Sequence, residues 1–142
     1  MFDLSLYLKN IRLAKKGLNP YLDSFDITVV ELGAGRACFK MTIRPEYIQA
    51  AGLMQGGLIV ALADETIAHA MMTELNPDEG LTTIELKSNF LSGISQGVLR
   101  ADAAVFKKGR NVMIGDCLVT SGEGKNICRV SATFMLLKNK TK

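Results

Sequence analysis

Apolar residues recur along the chain with two different periods, and these periods predict both helices and strands. Near the N-terminus, apolar side chains fall three or four positions apart, at Leu4, Tyr7, Leu8, Ile11 and Ala14. This spacing predicts a helix over residues 3–17, ended by Gly17 and Pro20. We interpret it as a helix packed on its own domain, because short amphipathic helices are more often docked in this way than laid on a membrane surface.

Alternating apolar and polar positions then predict strands. Residues 25–30 and 37–43 form a hairpin about the turn at 33–35, and four further strands are predicted at about 81–91, 97–106, 111–121 and 126–137. The joints between these four are short, and the first of them contains Ser92 and Gly93. Because short loops join antiparallel neighbours, the chain predicts an antiparallel sheet of about six strands.

A long apolar segment lies between the hairpin and the last four strands. Residues 58–72 contain no Pro or Gly, and apolar side chains cover almost every helical face, which is typical of a helix enclosed by protein. Such a helix needs a curved sheet wrapped around it. We therefore predict a single α+β domain over residues 1–142, with an N-terminal helix and a core over about 20–138.

Composition narrows the possible functions. The chain has 142 residues, a formal net charge of +3, 48% hydrophobic and 22% charged residues. The charge favours a small molecule with phosphates but is too small and scattered for nucleic acid. Three separated cysteines and one histidine support neither a disulfide framework nor a metal site. No apolar run approaches a membrane span or a signal peptide, so we expect a cytoplasmic protein without a membrane partner.

The start of the predicted central helix is suited to carbonyl chemistry. Gly52, Gly56 and Gly57 precede or open it, and the unpaired amides and dipole of a helix start can stabilise an oxyanion. Asp64 projects from nearly the same face as Gly57 but about 10 Å further along the axis, so one small carbonyl cannot touch both. Two antiparallel copies of the helix would bring amide and carboxylate together, which predicts a site shared across a dimer.

Two simpler interpretations accompany this one. Asp64 could instead form an ion pair with a cation on a neighbouring strand. Glu65 and His69 lie four positions apart, and we interpret them as a structural pair. No Ser or Cys lies in a strand-turn nucleophile elbow.

The run G-L-M-Q-G-G-L-I-V-A-L-A-D, between a hairpin and four antiparallel strands, resembles the hot-dog-fold acyl-CoA thioesterases of the phenylacetate-degradation (PaaI-like) group. The resemblance covers about residues 20–138. The family motif reads Asn-x-x-Gly-x-x-His-Gly-Gly, followed by Asp seven residues later. Gln49 occupies the Asn position and Gln55 the His position, and neither can titrate.

The resemblance implies roles for individual residues. Asp64 would act as general base or nucleophile, the Gly57 amide would polarise the thioester, and Gly52 and Gly56 match the motif. Thr83 falls where relatives place a residue that positions water. Alternation with Ile84 puts Thr83 on the face away from the helix unless a bulge intervenes.

The resemblance also implies a substrate and an assembly. The reaction would be hydrolysis of an acyl-CoA to free acid and CoA, without a metal or redox cofactor, in a homodimer or dimer of dimers. Lys108 and Arg110 could contact CoA phosphates, or simply form a solvated turn. Met54 could line a pliable acyl pocket, although methionine more often fills core gaps. The alternative is a non-catalytic acyl-CoA or acyl-chain binding protein of the same fold, in which Gln49 and Gln55 mark lost activity.

Overall fold

A computed structural model describes residues 2–138, which form three α-helices, one short 3₁₀ turn and six strands. In chain order these are α1 (Leu4–Arg12), α2 (Pro20–Ser24), β1 (Thr28–Gly33), β2 (Arg36–Thr42), the 3₁₀ turn (Pro45–Tyr47), α3 (Gly56–Met72), β3 (Glu79–Phe90), β4 (Val98–Lys108), β5 (Val112–Ser121) and β6 (Asn126–Lys138). The predicted strands are confirmed to within a few residues at their ends. None of the helices within residues 2–138 is long and apolar enough to cross a bilayer.

The six strands form one antiparallel sheet in the order β1-β2-β4-β5-β6-β3. The expectation that Ser92 and Gly93 join paired neighbours is wrong, because β3 pairs with β6 and β4 pairs with β2. The connection runs through residues 91–97, and its backbone is bonded to Met54 at 2.7 Å and to Ile43 at 2.8 Å. The loop therefore crosses beside the start of α3 and leaves β3 at one edge of the sheet.

The central helix packs its apolar face on the concave side of the sheet. Leu62, Ala63, Ile67, Ala70 and Met71 are completely buried, against sheet residues such as Phe39, Leu99 and Phe134. The enclosure is incomplete, however. A stripe of partly buried residues runs along α3, and we call it the open stripe. It consists of Leu58, Ala61, Asp64, Ala68 and Met72. A helix wrapped in this way by one antiparallel sheet is the hot-dog fold that the sequence predicted.

The N-terminal region differs from the single predicted helix over 3–17. Helix α1 begins after Asp3, whose side chain accepts from the Leu6 amide at 2.9 Å, and it ends at Arg12. Pro20 does not end a helix but begins α2, with Asn19 as its N-cap. Proline is favoured at the first helical position because no intrahelical bond needs its amide, so Asn-Pro signalled a start rather than a stop.

Candidate active site

Asp64 lies halfway along α3 on the open stripe and contacts β3. The Thr83 hydroxyl donates to Asp64 Oδ1 at 3.1 Å. This contact depends on a bulge, because Thr83 is opposite Phe134 and Glu85 is opposite Thr133, which leaves Ile84 as an extra residue. The bulge turns Thr83 towards the helix and reconciles its position with the alternation that follows.

The Asp64 carboxylate has no counter-ion within residues 2–138. Among residues 2–138, no cation lies within ion-pair distance of it, so the alternative of a structural ion pair is wrong for the chain as described. Burial raises the pKa of Asp64, the Thr83 hydroxyl opposes this, and the neighbouring Glu65 carboxylate adds to it. A carboxylate with a raised pKa is a better proton acceptor near neutral pH, which suits a general base.

The N-terminus of α3 presents unpaired amides. Gln55 is the N-cap, and its Oε1 accepts from the Leu58 amide at 3.0 Å. The amides of Gly56 and Gly57 have no hydrogen-bond acceptor within residues 2–138. Glycine at 57 also leaves room for the cap, because a Cβ there would lie 2.8 Å from Gln55 Oε1. Gln55 therefore shapes the helix start, and its Nε2 remains available as a donor.

The loop before α3 is closed by its own hydrogen bonds. The Gln49 side chain accepts from the Ala51 amide, and the Gln49 amide donates to the Leu53 carbonyl at 2.8 Å. Gly52 has φ +84°, in the left-handed region where a side chain is strained. Gly52 of the motif thus allows the turn to form, and the hydrogen bonds of Gln49 stabilise the loop before α3.

A pocket of about 330 Å³ opens beside this helix start. Gln49, Met54 and Gly56, which the sequence singled out, are joined there by Leu53, Ile59, Phe90 and Leu91. Sequence reasoning missed Phe90, whose ring packs so closely that a Cβ on Gly56 would lie 3.0 Å from two ring atoms. Phe90 is 57% exposed at the end of β3, and large exposed apolar groups beside a pocket suit an apolar ligand.

The structure thus forms two groups of candidate residues and keeps them apart within one chain. Asp64 and Thr83 lie together, and Gln49, Met54, Gln55, Gly56 and Gly57 lie at or beside the pocket. The two groups are separated by about two turns of α3, or about 10 Å.

The predicted CoA-binding cations lie elsewhere. Lys108 Nζ is 2.8 Å from Glu79 Oε2 and 2.6 Å from the Glu74 carbonyl, just beyond the C-terminal end of α3. A 17-residue helix is about 25 Å long, so Lys108 is far from Gly57 of its own chain. Arg110 lies in the exposed turn between β4 and β5. Lys108 is thus held in an ion pair, whereas Arg110 forms no ion pair within residues 2–138.

His69 belongs to a buried network rather than to the pocket. Its Nε2 is 2.8 Å from the Tyr7 hydroxyl, and its Nδ1 is 2.8 Å from the Glu65 carbonyl. Because a carbonyl only accepts, Nδ1 carries the proton and Nε2 accepts from Tyr7. Asn19 completes the network by donating to Tyr7 at 3.0 Å and to Glu65 Oε1 at 2.7 Å.

The network gives the predicted Glu65–His69 pair a structural role. The two side chains lie 3.7 Å apart, and the shorter contact is to the Glu65 backbone. Burial lowers the pKa of His69, although the Glu65 carboxylate opposes this, so the imidazole stays neutral. Within residues 2–138, no group of three His, Cys, Asp or Glu side chains is arranged to hold a metal ion.

The fold and these residues define a hot-dog domain with a carboxylate and free helix amides suited to acyl-group chemistry. Comparison with known sequences makes the class specific. The sequence model of the Thioesterase superfamily matches residues 51–128, which include Gly52, Gly57, Asp64 and Thr83. The chain belongs to the Thioesterase superfamily, and its class of activity is thioester hydrolysis.

Individual relatives are distant. A 1,4-dihydroxy-2-naphthoyl-CoA hydrolase of Listeria monocytogenes is 23% identical, over 84% of this chain and 97% of its own. Among solved structures, the conserved protein PA5202 from Pseudomonas aeruginosa is 26% identical with a TM-score of 0.78, over 84% of this chain and 94% of its own. The thioesterase HI1161 from Haemophilus influenzae is 21% identical with a TM-score of 0.83, over 94% and 92%. The last of these shows likeness of fold.

Proposed function

We propose that this protein hydrolyses acyl-CoA thioesters to the free acid and CoA, with Asp64 as general base or nucleophile and the Gly57 amide as oxyanion donor. The observation that carries the proposal is the half-buried Asp64 carboxylate, which accepts from one neutral hydroxyl and has no cation of residues 2–138 beside it. A buried charge without a counter-ion is costly for a fold to keep. A role in the reaction would explain why the protein keeps the Asp64 carboxylate in this costly environment.

The reaction needs one group that stabilises negative charge on the thioester oxygen and one group that accepts a proton. The thioester oxygen would bind at the Gly57 amide, where the helix dipole favours negative charge, with Gln55 Nε2 as a second donor beside it. If Asp64 is the base, it takes a proton from the water that attacks the carbonyl carbon. The C–S bond then breaks, and the CoA thiolate leaves and is protonated. If Asp64 is the nucleophile, a mixed anhydride forms first and water hydrolyses it.

A two-fold dimer supplies the geometry that one chain lacks. Strand β3 is a 12-residue edge strand with one row of unpaired backbone groups, a surface that pairs readily with another strand. Ile84, in its bulge, is 51% exposed, and the open stripe of α3 lies behind it. Pairing through β3 would set two α3 helices antiparallel, with Gly57 of one copy opposite Asp64 of the other. We therefore propose two shared sites per dimer.

The pocket favours an apolar acyl group. The pocket is lined by Leu53, Met54 and Phe90, of which Met54 is almost completely buried. Aromatic rings pack well on a Phe ring and a thioether, so the proposed substrates include aromatic acyl-CoAs. The naphthoyl-CoA hydrolase among the relatives supports the same class.

The test is hydrolysis of a panel of aliphatic and aromatic acyl-CoAs by the purified protein. The rate is measured from the release of the free CoA thiol. We expect turnover, and we expect Asp64→Asn to lower kcat by about 10²-fold or more while acyl-CoA still binds. The matched control is Asp116→Asn on the outer sheet face, where Asp116 pairs with Arg129 at 2.7 Å. Near wild-type turnover by Asp64→Asn would overturn the assignment of Asp64. Tight acyl-CoA binding without any turnover by the wild-type protein would favour the binding protein.

A further inference from the structure

A second cavity lies on the convex face of the sheet, away from α3, and we call it the convex-face cavity. Its volume is about 590 Å³. One row of side chains crosses its floor from β1 to β5, and the pairing of the strands gives this row as Thr28, Lys40, Arg100 and Thr120. The residues on either side of Lys40 along β2 are buried in the core, so alternation places the row on the convex face.

The two cations in the middle of this row are direct cross-strand neighbours. Side chains directly opposite each other in an antiparallel pair have Cβ atoms about 4.5–5.5 Å apart, and like charges there are destabilising. The Asp102 carboxylate balances the charge of Arg100, accepting from its Nε at 2.8 Å and from its Nη2 at 2.9 Å. Lys40 is exposed and has no carboxylate within ion-pair distance among residues 2–138. One positive charge on the floor of the cavity is therefore left for an anion.

Hydroxyl groups surround the two cations. Thr28 and Thr120 lie at the ends of the row, and Thr42 and Ser121 also line the cavity. Ser121 Oγ accepts from the Lys125 amide at 3.1 Å, so the proton of this hydroxyl is available to another acceptor. Cationic and hydroxyl side chains together are common partners of phosphate oxygens.

The rest of the lining favours phosphate groups over a nucleobase. Asp26 also lines the cavity, but its Oδ2 lies 3.3 Å from Arg44 Nη1, which offsets its charge. Among the described residues that line the cavity none is aromatic, so a base would find no stacking platform. The volume is within the range of small-molecule sites. A ligand would therefore be recognised by its phosphates.

The convex-face cavity and the pocket beside α3 lie at the same end of the domain. The loop over residues 91–97 contacts both. Its Ile94 carbonyl accepts from the Met54 amide at 2.7 Å, beside the pocket. Its Gly97 carbonyl accepts from the Ile43 amide at 2.8 Å, next to Thr42 of the cavity. This places the cavity outside the reaction centre but not at the opposite end of the molecule.

We propose that the convex-face cavity binds the phosphate groups of a phosphate-bearing small molecule, through Lys40 and Arg100 with the flanking hydroxyls as further donors. A bound phosphate would offset the repulsion between the two cations. The site goes beyond the proposed function and does not depend on it. The CoA part of an acyl-CoA and a separate phosphate ligand offer the same chemistry, and the test distinguishes these two sources.

The test measures the binding of inorganic pyrophosphate and of CoA by isothermal titration calorimetry, which needs no turnover. Lys40→Met removes the unpaired charge, and Lys40→Glu places a carboxylate opposite Arg100. The matched control is Lys9→Met, because Lys9 is an exposed lysine of α1 that lies outside the cavity and has no ion pair within residues 2–138. Thermal melts without ligand are recorded on the same preparations.

We expect Lys40→Met to raise the Kd by about tenfold, as loss of hydrogen bonds from a charged group does, and Lys40→Glu to abolish binding. Lys9→Met should keep the wild-type Kd. The melting temperature of Lys40→Glu should rise, because attraction to Arg100 replaces repulsion, and this separates loss of binding from unfolding.

The source of the phosphate follows from the two ligands. If the site serves CoA, Lys40→Met raises the Kd for CoA, and pyrophosphate competes with CoA. If it serves a separate ligand, pyrophosphate still binds in the presence of saturating CoA, and only its Kd responds to Lys40→Met. A wild-type protein that binds neither compound at millimolar concentration, or equal Kd values for Lys40→Met and Lys9→Met, would overturn the proposal.

Discussion

The contact between Thr83 and Asp64 gives a sharp test, because two adjacent threonines on β3 face opposite ways. Thr83 is opposite the buried Phe134 and points to the helix, whereas Thr82 is opposite the exposed Met135 and points outwards. Valine matches threonine in shape but lacks the hydroxyl. Thr83→Val therefore removes the donor to Asp64, and Thr82→Val is the matched control on the same strand.

The size of the effect follows from the contact. The Thr83–Asp64 bond is 3.1 Å long, and both residues remain partly open to water. A hydrogen bond to a charged group in such a place contributes about 1 kcal/mol, below the range for buried ones. If Thr83 orients the carboxylate in the transition state, kcat/KM should fall about fivefold. The Thr83 hydroxyl also lowers the pKa of Asp64, so its loss should raise this pKa and move the acid limb of kcat/KM to higher pH.

The assay is kcat/KM against pH for both variants, with thermal melts on the same preparations. Thr82→Val should keep the wild-type profile. An effect of Thr82→Val with none of Thr83→Val would mean that the bulge lies elsewhere and that β3 presents its other face to the helix. An unchanged profile in Thr83→Val would refute the role of Thr83 at Asp64.

Three further predictions follow from the same contacts. Sedimentation at micromolar concentration should show at least twice the 15.4 kDa chain mass, and a monomer would remove the shared site. The pKa of His69 is lowered by burial, so stability should fall as pH drops below about 6.5, the His value of the unfolded chain; a flat melting temperature between pH 7.5 and 5.5 would contradict this. Arg110→Met should raise KM for acyl-CoA while Lys108→Met lowers stability without changing KM, because Lys108 is already paired with Glu79; the reverse pattern would contradict the assignment.

The fold was predictable because its main signals are strong and local. A 15-residue apolar helix and six alternating segments define the elements, and the turn residues define most of the hairpins. The position of β3 was not predictable, because Ser92 and Gly93 resemble a hairpin turn, whereas the connection over residues 91–97 is bonded to Met54 just before α3 and to Ile43 just after β2. Pro20 was misread for a similar reason, since its meaning depends on the cap at Asn19.

The sequence predicts candidate site residues only where helical spacing or the motif identifies them. Asp64 and Gly57 follow from helical spacing and from the resemblance to a known motif. The contact of Thr83 with Asp64 needs a bulge, which no residue near Ile84 announces. Phe90 reads as an ordinary inward strand residue, and its place at the pocket arises only because β3 ends beside Gly56. The pairing of Lys108 with Glu79 joins residues 29 positions apart, and a sequence alone does not show it.

The two glutamines of the motif explain how the site can work without a titratable group near the helix start. Gln55 caps α3 through Oε1, and Gln49 closes its own loop through the Ala51 amide, so both carboxamides hold backbone in place. Neither takes up a proton near neutral pH. His69, the single histidine, is sealed between Tyr7 and the Glu65 carbonyl. Proton transfer in the proposed reaction is therefore left to Asp64, and for this reason its burial and its hydrogen-bond donors should govern the response of the enzyme to pH.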